Sequence, residues 1–168
     1  MKNVAVIGAG ITGITLANLL QKKVNLTVFE KSRGVGGRMA TRRAEPYQFN
    51  HGAQYFKIEN KEFKNFLQPL IQNKIIKHLE ANHIDILNKE VIKRTKTYNK
   101  IYYTPVSKMN SVVKYLINNN FFIKLLCKID KTIKENDKWF IIDSDNASYG
   151  PYDWLFITIP PNQALEIL

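Results

Sequence analysis

The chain has 168 residues, 45% of them hydrophobic, one cysteine, and a formal net charge of +11 from 25 Lys+Arg against 14 Asp+Glu. That length suits one domain, or a domain and a half, of roughly 100–200 residues each, and that apolar content excludes a disordered chain. The single Cys127 excludes an internal disulfide framework, and no stretch approaches the roughly 20 apolar residues of a membrane-spanning helix.

The opening MKNVAVIGAG has too short an apolar run for a signal peptide, so a soluble, cytoplasmic protein with no membrane partner is expected. The positive charge would suit a polyanion. The lysines, however, are scattered along the whole length among Asn and Ile, as on solvated faces, so no nucleic-acid partner is expected.

In chain order, residues 3–7 (NVAVI) read as a buried strand. The glycines of 8–13 break it, and Ile11, Ile14, Ala17 and Leu20 follow at helical spacing. Residues 26–30 (LTVFE) form a second strand, so the first thirty residues make a βαβ unit with parallel strands. The charged, glycine-bearing stretch EKSRGVGGRMATRR (30–43) comes next, then FNHGAQYF (49–56). Phe63, Phe66, Leu67, Leu70 and Ile71 predict a helix, kinked or frayed near Pro69.

From 75 to 105 the short runs IIKHL, IDIL and KIYYT, separated by charged residues, predict antiparallel strands of a second layer. Met109, Val112, Val113, Leu116 and Ile117 predict an amphipathic helix, with Ser107 as its N-cap. FFIKLL, KIDKTI and KWFIID are further strands, YDWLFITIP is a last buried strand, and NQALEIL begins a helix. The fold class is α/β: a Rossmann-like parallel sheet with an inserted, incomplete antiparallel β substrate domain. Residues 1–74 form the first part of the cofactor domain, 75–106 the start of the inserted β domain, and 107–168 the return to the cofactor domain.

GAGITG (8–13) fits G-x-G-x-x-G, follows a strand, opens a helix, and has Glu30 22 residues after Gly8. In that context it is a dinucleotide-binding fingerprint. Gly8 permits the tight turn, Gly10 lets the backbone approach a pyrophosphate, and Gly13 lets helix and strand pack closely. Ile11 and Thr12 lie between them at the helix N-terminus, whose free N–H groups and dipole favour phosphate. Glu30 is placed to accept hydrogen bonds from an adenosine ribose, and its charge disfavours a 2′-phosphate.

Glu30 followed by Gly37-Arg38 resembles the flavoprotein amine oxidase superfamily, whose FAD domain carries a Glu and then a GGR signature. The resemblance implies FAD as cofactor. It also implies that Gly36 and Gly37 let the loop pass close to the cofactor, and that the Arg38 guanidinium faces the pyrophosphate, where a fork suits paired phosphates. Lys31 and Met39, beside these motif residues, join the expected cofactor contacts, whereas Arg33, Arg42 and Arg43 are expected to be exposed. GGRMATRR with FNHGAQYF is similar to the renalase-type branch, including its bacterial FAD-dependent relatives. DKWFI (137–141) and YDWLFITIPPNQALEIL match the same branch, so the resemblance runs from Met1 to Leu168. It implies that Gly52, Ala53 and Gln54 lie against the flavin, that the Ile129 backbone meets the adenine, and that Pro160 forms a turn near the cofactor.

The chain departs from that family in two respects. Asn50 stands where bacterial relatives usually carry Asp, which is expected to remove a charge that braces the loop. Family members are also much longer, so the chain is expected to be the N-terminal half of such an enzyme, with a separately encoded C-terminal half as a candidate partner. An incomplete sheet would expose apolar edges and favour self-association.

The resemblance implies a FAD-dependent oxidoreductase of amine oxidase or renalase type. In such enzymes the flavin accepts a hydride from an amine or dihydronicotinamide-like small-molecule substrate, with O2 as oxidant. The alternative is a catalytically incomplete dinucleotide-binding fragment of a split or truncated flavoenzyme. No acid–base residue can be placed from the sequence. His51, His78 and His83 are isolated and Cys127 lacks a C-x-x-C partner, so no metal site is expected. His78 and His83 read as surface residues, Cys127 as buried and inert, and Tyr102, Tyr103 and Trp139 as sheet packing.

Overall fold

The structure is a computed structural model, described here for residues 1–80, 83–95, 102–117 and 121–168. β1 (Lys2–Ile7) passes through the glycine turn into α1 (Ile11–Leu20) and returns as β2 (Val24–Phe29), the βαβ unit the sequence predicts. A 3-10 turn (Gly37–Met39) then precedes a hairpin of β3 (Thr41–Ala44) and β4 (Tyr47–Asn50). β5 (Phe56–Lys57) and α2 (Lys61–Gln72) lead to β6 (Ile76–His78), β7 (His83–Leu87), β8 (Glu90–Thr95) and β9 (Tyr102–Pro105). After α3 (Asn110–Leu116) and β10 (Phe122–Lys124) come β11 (Ile129–Glu135), β12 (Lys138–Asp143), β13 (Ser148–Tyr152), β14 (Trp154–Ile157) and α4 (Pro161–Ile167).

The central sheet has the order β10-β2-β1-β14, all parallel. Its middle is apolar on both faces, with Val4, Ala5 and Val6 fully buried, because a parallel sheet is covered on both sides. On one face Val4, Val6, Leu26 and Val28 pack with Ile14 and Ala17 of α1 and Val113 of α3. The Asn18 side-chain amide ties the two helices by donating to the Leu116 carbonyl at 2.6 Å. On the other face Ala5, Ile7 and Phe29 meet Ile141, Tyr149 and Tyr152 of the antiparallel sheet β11-β12-β13. α2 makes a third cluster, in which Leu67 and Leu70 pack on Ile76 and Val112.

The 75–105 region forms two separate antiparallel pieces: a sheet of order β5-β9-β6 and the hairpin β7–β8. Lys100 and Ile101 of the predicted KIYYT run, and the His83 side chain, lie outside the described residues. The helix is not frayed at Pro69: α2 continues to Gln72, its buried Leu67 and Leu70 holding it on both sides of the proline. Ser107 is not the cap of α3; the helix starts three residues later, with its preceding Met109 N–H held by Asn50 Oδ1 at 3.0 Å. YDWLFITIP does not become a fully buried strand either. β14 pairs with β1 alone among the described strands and sits at the sheet edge with Trp154 half exposed. No helix among the described residues is long and apolar enough to cross a membrane.

One ionic cluster fastens the layers. Asp153, just before β14, accepts from Lys138 Nζ of β12 at 2.6 Å, from the Asn3 N–H of β1 at 2.7 Å, and from Lys2 Nζ at 3.2 Å. The Lys138 contact, with the Asn3 N–H, holds its carboxyl well below the usual carboxylate range. A folded-state value below the unfolded one stabilises the fold above about pH 4, the ordinary aspartate value. That contribution is lost as pH falls below it. Asp153→Asn is therefore expected to lower Tm by a few degrees at pH 7, and the gap to the parent should close as thermal melts are repeated below about pH 4.

Candidate functional site

The site grows from the carboxyl ends of β1 and β2, where open α/β sheets place their ligands. Gly8 follows β1, and its N–H donates to the Phe29 carbonyl at 2.8 Å, holding the turn against β2. Gly13 is required by packing: a Cβ there would lie 2.0 Å from the Gly8 carbonyl oxygen. Gly10 is different, because a Cβ there would meet nothing within 4 Å. Its side-chain space opens toward the site, as close approach of a ligand to the backbone requires. α1 begins at Ile11 with no side-chain cap and no acidic residue in its first turn, so its positive end is left for an external anion.

The loop after β2 folds back onto this turn. Gly36 donates its N–H to the Ala9 carbonyl at 3.0 Å and forms an isolated parallel bridge with Gly10. Its φ of 129° is a conformation that only glycine adopts readily. Gly37 lies so close that a Cβ would sit 3.4 Å from the Gly10 Cα. Glu30, 7% exposed, joins the two loops: one carboxylate oxygen accepts from the Ala9 N–H at 2.9 Å, the other from the Ser32 N–H at 2.8 Å.

A cavity of about 590 Å³ opens between these loops and the β11 end of the antiparallel sheet. Of the residues expected from the sequence, Gly8, Gly10, Ile11 and Thr12 of the first turn line it, as do Glu30 and Lys31. Gly37, Arg38 and Met39 form another part of the wall, with Ile129 and Pro160 opposite. Gly13 is buried under the turn and does not line the cavity. Gly52, Ala53 and Gln54 do not line it either. They sit behind the loop: Ala53 N–H donates to the Arg38 carbonyl at 2.9 Å, and a Cβ on Gly52 would lie 2.0 Å from that same oxygen. The Gln54 carbonyl accepts from Thr104 Oγ1 at 3.2 Å.

Asn50, expected to remove a charge that braces the loop, braces it through a neutral oxygen. Its Oδ1 accepts from Thr41 Oγ1 at 2.8 Å and from the Met109 N–H at 3.0 Å, binding the β3–β4 hairpin to the start of α3. Arg33, Arg42 and Arg43 are exposed, as are His51 and His78. Among the described residues no group of His, Cys, Asp and Glu is arranged to hold a metal ion.

Sequence reasoning missed Cys127, Thr158 and Ile159 as cavity wall, and Gln163, Glu166 and Ile167 of α4 beside them. Thr158 signals its place through contacts, its Oγ1 donating toward the Ile7 and Gly8 carbonyls at 3.0 Å each; no residue pattern announces it. Gln163 Oε1 accepts from Lys31 Nζ at 3.0 Å, which closes the cavity rim. Cys127 is buried, as expected, and its thiol lies 3.6 Å from Asp143 Oδ2. Burial pushes that thiol up. Asp143 is held below the usual carboxylate range by the Tyr149 hydroxyl at 2.6 Å, with help from the Ala147 and Asp145 N–H groups. These contacts fix the β12–β13 turn behind the cavity rather than activating a nucleophile.

An uncapped helix N-terminus, an arginine and a braced carboxylate around one cleft define a dinucleotide-binding Rossmann-like module. Residues 6–70 match the family described as NAD(P)-binding Rossmann-like domain. The chain is similar to renalase from Mus musculus, 29% identical over 180 aligned positions, covering 99% of this chain and 49% of that protein. Among solved structures, a protein assigned as a protoporphyrinogen oxidase from an Exiguobacterium species superposes with a TM-score of 0.73 at 11% identity, covering 100% of this chain and 61% of that one. An oxidoreductase from Methanosarcina mazei superposes with a TM-score of 0.69 at 14% identity, covering 98% of this chain and 61% of its own. The chain thus spans about half the length of the renalase it matches.

The two glycines of the first turn should separate experimentally. Gly13→Ala forces a Cβ into the Gly8 carbonyl and is expected to cost about 3 kcal/mol or more in chemical denaturation. Gly10→Ala, with open space at that position, should keep the parent stability to within about 1 kcal/mol. Cys127 in the native protein should resist a thiol reagent at pH 7–8 and react fully only after denaturation, as a colorimetric thiol count would show.

Proposed function

We propose that this chain binds FAD and forms the cofactor-binding module of a FAD-dependent oxidoreductase of renalase type. Its substrate would be an amine or a dihydronicotinamide, and O2 its oxidant. The observation that carries the reading is the second glycine loop: Gly36 and Gly37 lie directly against the first turn, with Arg38 on the same cavity wall, beside a carboxylate that braces both loops. A simple nicotinamide site needs only the first turn and the acid. A second loop bringing a guanidinium to the same place suits a pyrophosphate carrying more charge than one helix dipole offsets.

The residues present fit the group. Gly10 leaves space beside its backbone, and the first turn of α1 presents unoccupied donors to an anion. Arg38 is exposed at the cavity wall. Glu30 spends one hydrogen bond on each oxygen within the protein, and a carboxylate has capacity for about four. The remainder suits ribose hydroxyls and repels a 2′-phosphate. Gly52 and Ala53 act from behind, setting the Arg38 backbone, and Met39 and Ile129 offer apolar wall.

When bound, the flavin supplies hydride acceptance and reoxidation by O2. What this chain does is hold the phosphates, orient the adenosine end through Glu30 and Ile129, and exclude water with Met39, Ile159 and Ile167. No side chain among the described residues is assigned to proton transfer. The share of renalase covered, 49%, favours a second reading, a dinucleotide-binding module without turnover of its own.

Titrating the purified chain with FAD separates the readings. Uptake with the perturbed visible spectrum of bound flavin is expected. Arg38→Ala should weaken it about tenfold, the cost of about 1.4 kcal/mol for one charge-assisted contact, and Gly10→Ala should weaken it at least as much while remaining folded. A chain that takes up no FAD sinks the proposal. Bound flavin that no amine or dihydronicotinamide bleaches anaerobically leaves the binding module without the oxidoreductase.

A further inference from the structure

The chemistry of the cavity wall changes along its length. The start of α1 and Arg38 mark a phosphate end, and Glu30 marks the ribose. Beyond Glu30 the cavity continues between Lys128 and Ile129, where β11 begins, and Gln163 and Glu166 of α4. α4 is seated there by the buried Thr132 hydroxyl of β11, which donates to the Ile167 carbonyl at 2.9 Å, and by Ile167 packing in one cluster with Ile129. A nucleotide whose phosphates and ribose occupy the first two places has its base left for this third one.

Gln163 and Glu166 are three residues apart on one helix, so they share a face one turn apart. The Gln163 amide has a fixed orientation. Lys31 Nζ, which can only donate, meets Gln163 Oε1 at 3.0 Å, so the amide oxygen faces the ammonium and both N–H donors of Nε2 remain. As a carboxylate, Glu166 can only accept. The neighbouring Lys128 ammonium is taken by Asp130 at 2.6 Å, which leaves the Glu166 oxygens for an outside donor. The wall thus offers a donor beside an acceptor. Adenine presents the complement, a ring nitrogen that accepts beside a 6-amino group that donates. Guanine and hypoxanthine carry a 6-oxo group there, an acceptor set against the carboxylate.

We propose that Gln163 and Glu166 select adenine as the base of the bound nucleotide. Gln163 donates to a ring nitrogen and Glu166 accepts from the 6-amino group. Lys31 is the positioning residue that keeps the Gln163 amide turned with its donors free. This deepens the cofactor reading and rests on the part of it in which the cleft takes an adenosine diphosphate; it does not need the flavin. A site built to hydrogen-bond one group rejects the analogue that lacks it. Because Glu166 is exposed, water screens that rejection, and a preference of about tenfold is expected rather than the far larger ratios of buried sites.

Calorimetric titration of the purified chain with ADP and with inosine diphosphate, which differ only at purine position 6 and the adjoining ring nitrogen, tests the assignment. ADP is expected to bind about tenfold more tightly. Glu166→Gln supplies an amide that can turn a donor to the 6-oxo group, so the preference should fall to about twofold or less. Gln163→Glu keeps a partner for Lys31 while removing the donors, and should erase the preference by weakening ADP about tenfold. Lys31→Met should narrow it, since the amide then turns freely. Arg38→Ala, at the phosphate end, should weaken both nucleotides alike. A merely structural contact between Lys31 and Gln163 would change affinity without changing the preference. Equal affinities for the two nucleotides, no binding of ADP, or a preference that survives in both Glu166→Gln and Gln163→Glu overturns the proposal. A chain that binds ADP with this preference yet takes up no FAD sinks the cofactor reading alone. One that takes up FAD and binds both diphosphates equally sinks this assignment alone. Glu166 is exposed, so Glu166→Gln decides the matter if Gln163→Glu does not fold.

Discussion

A single carboxylate sets the geometry on which the cleft depends. Glu30 ends β2 and is nearly removed from water, and a charge so placed is costly without donors at hand. It takes one N–H from Ala9 in the first glycine turn and one from Ser32 in the second loop. Two loops from different sides of β2 are thereby referred to one side chain. The Gly36 N–H to the Ala9 carbonyl closes the arrangement, so neither loop moves without breaking a buried, charge-assisted contact.

The same local view separates the cations that matter from those that decorate. Arg33, Arg42 and Arg43 belong to the same charged stretch as Arg38, and all are exposed. What distinguishes Arg38 is its neighbourhood, a cavity wall shared with the uncapped start of α1. Net charge describes the whole surface and carries no such information. Lys124 illustrates the point from the other direction: its ammonium lies 4.5 Å from the Tyr149 ring centroid, where the Tyr149 hydroxyl also serves Asp143. That cation is structural.

The βαβ unit, its glycines and its acid were legible because each rests on local pattern: a strand period, a helical period and backbone freedom at fixed spacing. The fold class followed from them. Of the far wall only Ile129 and Pro160 were legible, through the resemblance; Thr158 and Gln163 reach the cavity through the pairing of β14 with β1 and the placing of α4, and Cys127 through its N–H to the Glu30 carbonyl, contacts that no short window contains. Local signals also misled where tertiary packing overrode them. Pro69 is carried through α2 by its buried leucines, and Ser107 lost the cap of α3 to Asn50, a residue more than fifty positions away in sequence. WLFI reads as an interior strand and lies at an edge among the described strands.

Asn50 gives the loop an unusual independence. It holds the β3–β4 hairpin and the start of α3 through a neutral amide oxygen, whereas an aspartate there would hold them through a group that titrates near pH 4. An amide has no proton to gain in that range. The hairpin that carries the chain from Arg38 toward Gly52 is thus seated by contacts indifferent to acid, while the layers beneath it remain fastened by Asp153, which is not. Acid therefore acts on the fastening of the layers and leaves the seat of this hairpin untouched.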